Sequence, residues 1–209
     1  NEYFENQIKH WKNINDENGK MIYGMLCFRL ALINEEFSKK IASLFDNYEN
    51  LDPNIKQAVA SAYAISFEDD VYSILLEKYK TEKFDEEKIR FLNALLSFRK
   101  SYLILNTLGL ILTGEVKMQE SIRMISYLTN NPFVKDALWI WLKTYINKLR
   151  EIYKGTGILG NTLSYIIPFL PYSKIKEIEE FFSKNKIEEA EMGIKKGIEL
   201  LKIYSRLYS

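Results

Sequence analysis

Apolar residues recur along this chain at intervals of three and four, the spacing that gathers side chains on one face of a helix. Strict apolar–polar alternation is scarce, so the pattern predicts helices and not strands. The clearest stretch is residues 131–155. Asn131 can serve as N-cap and Pro132 can occupy the first helical position, where its missing N–H costs nothing. Gly155 tolerates the left-handed conformation that ends helices. Between them Leu138, Trp141, Leu142, Tyr145, Leu149 and Ile152 fall on one face, and Trp139, Ile140 and Ile146 widen the arc. A helix apolar over so much of its circumference is expected to be buried between other elements.

The same reasoning predicts helices over 2–12, 21–33, 35–48, 53–64, 68–79, 84–96, 101–112, 116–128, 161–169, 173–184 and 187–208. Phe4, Ile8 and Trp11 are expected on one side of the first; Phe37, Ile41, Leu44 and Phe45 in the third; Val71, Ile74, Leu75 and Tyr79 in the fifth. Asn34 and Asp52–Pro53 supply further start signals. About a dozen helices joined by short turns suggest antiparallel pairs stacked into a superhelical array, an all-α fold with HEAT/armadillo-like pairs and a concave inner face. No strict sequence repeat is present. No composition break divides the chain, so one domain over 1–209 is expected, with residues 1–20 the part least defined by the pattern.

Composition narrows the chemistry. The 209 residues are 47% hydrophobic, enough for a substantial core. With 29 basic and 28 acidic residues the net charge is +1, which gives no global attraction to nucleic acid. The longest apolar runs, 102–112 and 158–170, fall short of the ~20 residues a membrane span needs. A single cysteine, Cys27, suits a reducing compartment, and a cytoplasmic location is expected. The chain begins with Asn1 and not Met, which raises the expectation of a fragment or processed product.

The one histidine, His10, cannot supply the paired histidines of an H-E-x-x-H zinc site. Cys27 among apolar neighbours reads as a buried structural thiol. Neither phosphate-loop glycine pattern occurs, and the glycines at 155, 157 and 160 read as a helix end followed by a turn. The adjacent acidic pairs Asp69–Asp70, Glu86–Glu87 and Glu179–Glu180 diverge by about 100° on a helix, which suits solvated faces better than one reacting bond. The 14 Tyr and 12 Phe, at helical spacing, read as core packing.

Several segments nevertheless share an order. Asn131-Pro132, Trp139, Trp141 and Asn147-Lys148-Leu149 are preceded by Asp52-Pro53-Asn54-Ile55-Lys56-Gln57-Ala58-Val59, by Glu87-Lys88-Ile89-Arg90-Phe91-Leu92-Asn93-Ala94-Leu95, and by Val116-Lys117-Met118-Gln119-Glu120. They are followed by the helix 175–182, with Glu177, Phe181 and Phe182. In this order the set resembles the C-terminal helical domain of M1 zinc aminopeptidases, in the branch of endoplasmic-reticulum aminopeptidase, aminopeptidase N and the tricorn-interacting factors. The resemblance runs from about residue 35 to 207. Val134, Leu138, Tyr145 and Ile146 depart from the family's usual residues there.

The resemblance implies a non-catalytic domain that covers the active-site cavity of a zinc aminopeptidase and helps enclose its peptide substrate. No catalytic residue, metal ligand or cofactor is expected in this chain; zinc is expected in a catalytic domain upstream. The implied partners are that catalytic domain, in the same polypeptide, and a peptide, with neither nucleic acid nor membrane. Basic residues on such a domain can hold the peptide's distal carboxylate. Arg99 and Lys100, in the turn after the helix 84–96, are the candidates, against the reading that both are solvated or cap the preceding helix. Lys143, Lys148, Arg150 and Lys154 form a second set, expected to face solvent. The competing reading is a free-standing helical-repeat module that binds a peptide or protein.

Overall fold

The computed structural model describes residues 2–14, 16–129 and 131–207. Among them are twelve α-helices and no strand, in agreement with the all-α expectation. The helices are α1 (Glu2–Trp11), α2 (Glu17–Ile33), α3 (Glu35–Ala42), α4 (Pro53–Phe67), α5 (Asp69–Thr81), α6 (Asp85–Leu95), α7 (Ser101–Thr113), α8 (Met118–Leu128), α9 (Lys135–Ile152), α10 (Ile158–Ile166), α11 (Ile175–Lys184) and α12 (Glu191–Leu207). The expected place of the Phe4 side chain, on one side of the first helix, and the last helix's end at Tyr208 lie outside what is described. The chain forms two compact units, Asn1–Leu103 and Ile104–Ser209.

In the first unit α4 is the enclosed helix, packed by α2, α3, α5 and α6. Its sequence explains this: Ala58, Val59, Ala60, Ser61, Ala62 and Ala64 are all buried, and small side chains let neighbours approach from several sides. The approach of α2 is closest at Gly24, where an added Cβ would lie 2.0 Å from the Asn54 carbonyl oxygen. Asp52 starts α4 as anticipated, its carboxylate accepting the Asn54 N–H at 2.9 Å. Asn34 caps α3 in the same way through the Phe37 N–H at 2.9 Å.

Three expectations need correction here. The helix expected to run to residue 48 becomes a 3-10 segment over Ser43–Asn50, bent at Asn47 (φ −113°, ψ 29°), and the tighter period of 3.0 brings Phe45 and Tyr48 onto one buried side. Leu44 and Ile74, expected inward, are 39% and 41% exposed; their neighbours Phe45 and Leu75 take the core positions.

In the second unit α10 and α12 pack together, with α8 against α10 and α11 against α12. Gly193 of α12 makes this possible: a Cβ there would lie 2.0 Å from the Gly160 carbonyl oxygen. Asn131 accepts the Phe133 N–H at 3.0 Å, but Pro132–Val134 forms a 3-10 turn before α9 proper begins. Leu138, Trp139, Trp141, Leu142, Ile146 and Leu149 are buried. Ile140 is 56% exposed and Tyr145 39%, which corrects the expected arc. At 100° per residue, position 140 points roughly opposite the centre of that buried set. Gly155 and Gly157 both take positive φ, 77° and 69°, in the turn that leads to α10.

Candidate functional site

The two cations singled out by sequence sit just before α7, against the turn between α4 and α5. Between α4 and α5 the chain turns through Glu68, whose φ of 48° and ψ of −117° are unusual for a residue other than glycine. This conformation costs ~1–3 kcal/mol and persists where its surroundings hold it. Here the Glu68 carboxylate accepts the backbone N–H groups of Arg99, at 3.1 Å, and Lys100, at 3.4 Å, just before α7 begins. Burial pushes the Glu68 carboxyl up, and those two N–H donors oppose the shift. The next residue, Asp69, accepts from the Lys100 ammonium and the Tyr102 hydroxyl. Those two donors, Lys100 first, hold the Asp69 carboxyl below its usual range.

Lys100 is exposed and Arg99 half-buried. An incoming carboxylate at Lys100 therefore meets a cation already paired with Asp69. The Glu68 carboxylate thus satisfies the N–H groups that precede α7, while the Lys100 and Tyr102 side chains are held by Asp69 at the start of α5.

Two sequence segments named above converge on a second cluster. Glu87 accepts from the Lys56 ammonium at 3.3 Å, from the Tyr48 hydroxyl at 2.8 Å and from the Arg90 guanidinium. The Lys56, Glu87 and Arg90 side chains are only 10%, 16% and 12% exposed. Lys56 also lies over the Tyr48 ring, 5.0 Å from its centroid. Burial first, then the Glu87 hydrogen bond, pushes the Tyr48 hydroxyl's pKa up. Arg90 pairs with Glu86 as well, so two carboxylates meet two cations; the cluster fastens α4 to α6 and offers no free acid or base.

A third cluster joins α9 to α11. The Trp139 indole N–H donates to Glu177 at 2.9 Å, and the Lys143 ammonium pairs with the same carboxylate at 2.5 Å. Phe181 meets the Trp139 ring edge-on at 5.3 Å. Three of the second set of cations are likewise paired, Lys143 as above, Lys148 with Glu151 at 3.2 Å and Arg150 with Glu189 at 2.9 Å, and Lys154 is exposed.

The feature that sequence reasoning missed lies in the second unit. A groove of about 740 Å³ is lined by Tyr165, Phe169, Tyr172 and Tyr204, by Thr129 and Ser164, and by two lysines, Lys135 and Lys196. Among the described residues no carboxylate lines it. Lys135 lies over the Phe169 and Tyr172 rings, 4.9 and 5.0 Å from their centroids. Neither lysine forms an ion pair among the described residues. Tyr165, Phe169 and Tyr172 stand at helical spacing, which suggested core; Tyr165 is 51% and Tyr204 38% exposed. An aromatic wall with two unpaired cations and no anion is suited to a ligand with an apolar body and a negative end.

Metal chemistry finds no support in these residues. Among the described residues no three His, Cys, Asp or Glu side chains gather as a metal would require. His10 stacks edge-on against Trp11 at 5.3 Å. Cys27 is fully buried, and burial pushes its thiol up to about 11, which keeps it protonated and unreactive at neutral pH. Among the described residues no helix is long and apolar enough to cross a membrane.

Comparison with known proteins matches residues 3–203 to the model of the ERAP1-like C-terminal domain family. A leucyl aminopeptidase of Saccharolobus solfataricus is 48% identical over 206 residues, 99% of this chain and 26% of its own length. A probable aminopeptidase 2 of Sulfurisphaera tokodaii is 46% identical over 201 residues, 96% of this chain and 26% of its own. A tricorn protease-interacting factor F2 of Thermoplasma volcanium is 25% identical over 211 residues, all of this chain and again 26% of its own. The chain thus spans about a quarter of the length of these curated relatives.

Proposed function

The chain belongs to the ERAP1-like C-terminal domain family, and from that premise we propose that it is the non-catalytic, substrate-enclosing part of an M1 zinc aminopeptidase. One observation carries the reading: a relative named leucyl aminopeptidase aligns with 99% of this chain, yet the chain matches only 26% of it. The reaction then belongs to the remaining length of such a polypeptide. Among the described residues the buried Lys56 is paired with Glu87 and the Cys27 thiol is sequestered.

Zinc, in this reading, is held by residues outside the chain. When bound there it would supply Lewis-acid activation of water for peptide hydrolysis. The domain's contribution is to exclude bulk water and to position the far end of the peptide. Both compact units act as one domain of 1–209, a reading supported by a family match that runs through both. The partners are the catalytic domain in the same polypeptide and the peptide substrate, and the compartment is the cytoplasm.

Two places can hold a distal carboxylate. Arg99 and Lys100 are one, with Lys100 shared with Asp69. The groove with Lys135 and Lys196 is the other, and among the described residues its cations have no resident anion to displace. Charge reversal at each, in the full polypeptide, separates them: the true site loses long-peptide cleavage and keeps short-substrate cleavage.

The reading as a whole is tested by purifying the full polypeptide and this chain side by side. The full polypeptide is expected to contain zinc and to release N-terminal residues until a chelator removes the metal. The chain alone is expected to do neither. Zinc-dependent aminopeptidase activity from the chain alone, or none from the full polypeptide, would overturn the proposal.

A further inference from the structure

Helix α2 is apolar on more sides than this chain covers. From Met21 to Ile33 it reads MIYGMLCFRLALI, with Arg29 its one charge. Its inner face, with Gly24, Cys27, Leu30 and Ala31, is buried. At 100° per residue, Met21, Met25 and Leu32 fall together on the opposite side, flanked by Ile33. That side is open: Met21 is 58%, Met25 56% and Ile33 54% exposed. Arg29, beside them, is exposed and pairs with no carboxylate among the described residues; its guanidinium lies 5.7 Å from the Phe28 ring centroid.

A helix apolar all round is normally enclosed, and a contiguous exposed apolar strip marks an interaction surface. The relatives at 48% and 46% identity carry about three quarters of their length outside the region matched by this chain. A neighbouring domain tethered in the same polypeptide meets this strip at high effective concentration, whereas a separate partner must find it. Methionines suit such a contact, because their flexible side chains adapt to an opposing surface.

We infer that the outer face of α2, centred on Met21, Met25 and Ile33, is the docking surface for the remainder of the same polypeptide. The opposing surface is apolar, with a carboxylate facing Arg29. This inference rests on the proposed function, since it needs the longer polypeptide, and it names the face through which the domain is attached.

Methionine oxidation in the full polypeptide tests it without any substitution. Dilute peroxide converts exposed Met to the sulfoxide, and peptide mass mapping reads each site. Met192, 79% exposed, and Met124, 1% exposed, provide internal references from this chain, with the urea-unfolded polypeptide as the fully accessible standard. Met21 and Met25 are expected to oxidise roughly 10-fold or more slowly than in the unfolded standard, as a covered methionine should. Oxidation within about 2-fold of that standard overturns the inference. Protection that disappears on dilution to a demonstrated monomer also overturns it, since the occupant is then a second copy. Zinc-dependent aminopeptidase activity is measured on the same sample. If activity is present and the two methionines oxidise freely, only the docking face is wrong; if activity is absent, the proposed function fails first.

Discussion

Replacing Glu87 by Gln removes one negative charge from a cluster that holds α4 against α6. The carboxylate accepts from Lys56 at 3.3 Å, from Tyr48 at 2.8 Å and from Arg90. At an effective dielectric of about 20, a unit pair 3.3 Å apart attracts by roughly 5 kcal/mol before desolvation. Breaking a buried pair from one side costs ~3–5 kcal/mol, because the other charge stays behind unpaired. Arg90 keeps Glu86 as a partner and Lys56 keeps the Tyr48 ring, so the low end applies and a loss of about 3 kcal/mol is expected.

The local assay is native-state hydrogen exchange of the α4 and α6 amides, which reports the free energy of opening that helix pair. A Lys56→Met, Glu87→Gln cycle adds a second reading. The double variant should be less destabilised than the sum of the singles by ~1–3 kcal/mol, because it removes both unpaired charges together. A loss under about 1 kcal/mol in the Gln variant, or singles additive within ~0.5 kcal/mol, would refute the view that this cluster fastens the helices.

Other outcomes follow from particular contacts. Thr162 Oγ1 is buried with no hydrogen-bond partner among the described residues, so Thr162→Val should raise stability in thermal or urea unfolding by ~1 kcal/mol. Gly193→Ala places a Cβ against the Gly160 carbonyl and should destabilise by ~1–3 kcal/mol, whereas Gly109→Ala, within α7 and with nothing near the new Cβ, should stabilise by ~0.5–1 kcal/mol. Lys143 first and Trp139 second hold the Glu177 carboxyl below its usual range. Its contribution is therefore present above the ordinary glutamate pKa and lost as pH falls through the lower folded value. Acid titration should change Trp139 fluorescence below about pH 4.5, and Glu177→Gln should abolish that step.

Much of this architecture was legible because caps and periodicity are local. Asn34, Asp52 and Asn131 all accept the N–H groups that their positions implied. The shared motifs were legible only as landmarks. The structure supplies their physical content: Lys56 of one segment meets Glu87 and Arg90 of another, and Trp139 meets Glu177 and Phe181. Contacts 31 or 38 residues apart have no local signature.

The enclosure of α4 was not legible in the sequence, because it depends on small residues, which give no bulky stripe. The groove was missed for the converse reason. Tyr165, Phe169 and Tyr172 share a helical spacing with core residues, and spacing states which side chains lie together, not whether a neighbour covers them.

Substrate enclosure is tested most directly in the full polypeptide, by comparing kcat/KM for a peptide of about ten residues with that for a single-residue amide, before and after Lys135→Glu with Lys196→Glu. Loss of about 1.4 kcal/mol or more of long-peptide binding corresponds to at least a ~10-fold fall in kcat/KM for the long substrate. The short substrate, too small to reach the groove, should change by less than about 2-fold. An equal fall for both substrates, or no change in either, would contradict this assignment of the groove.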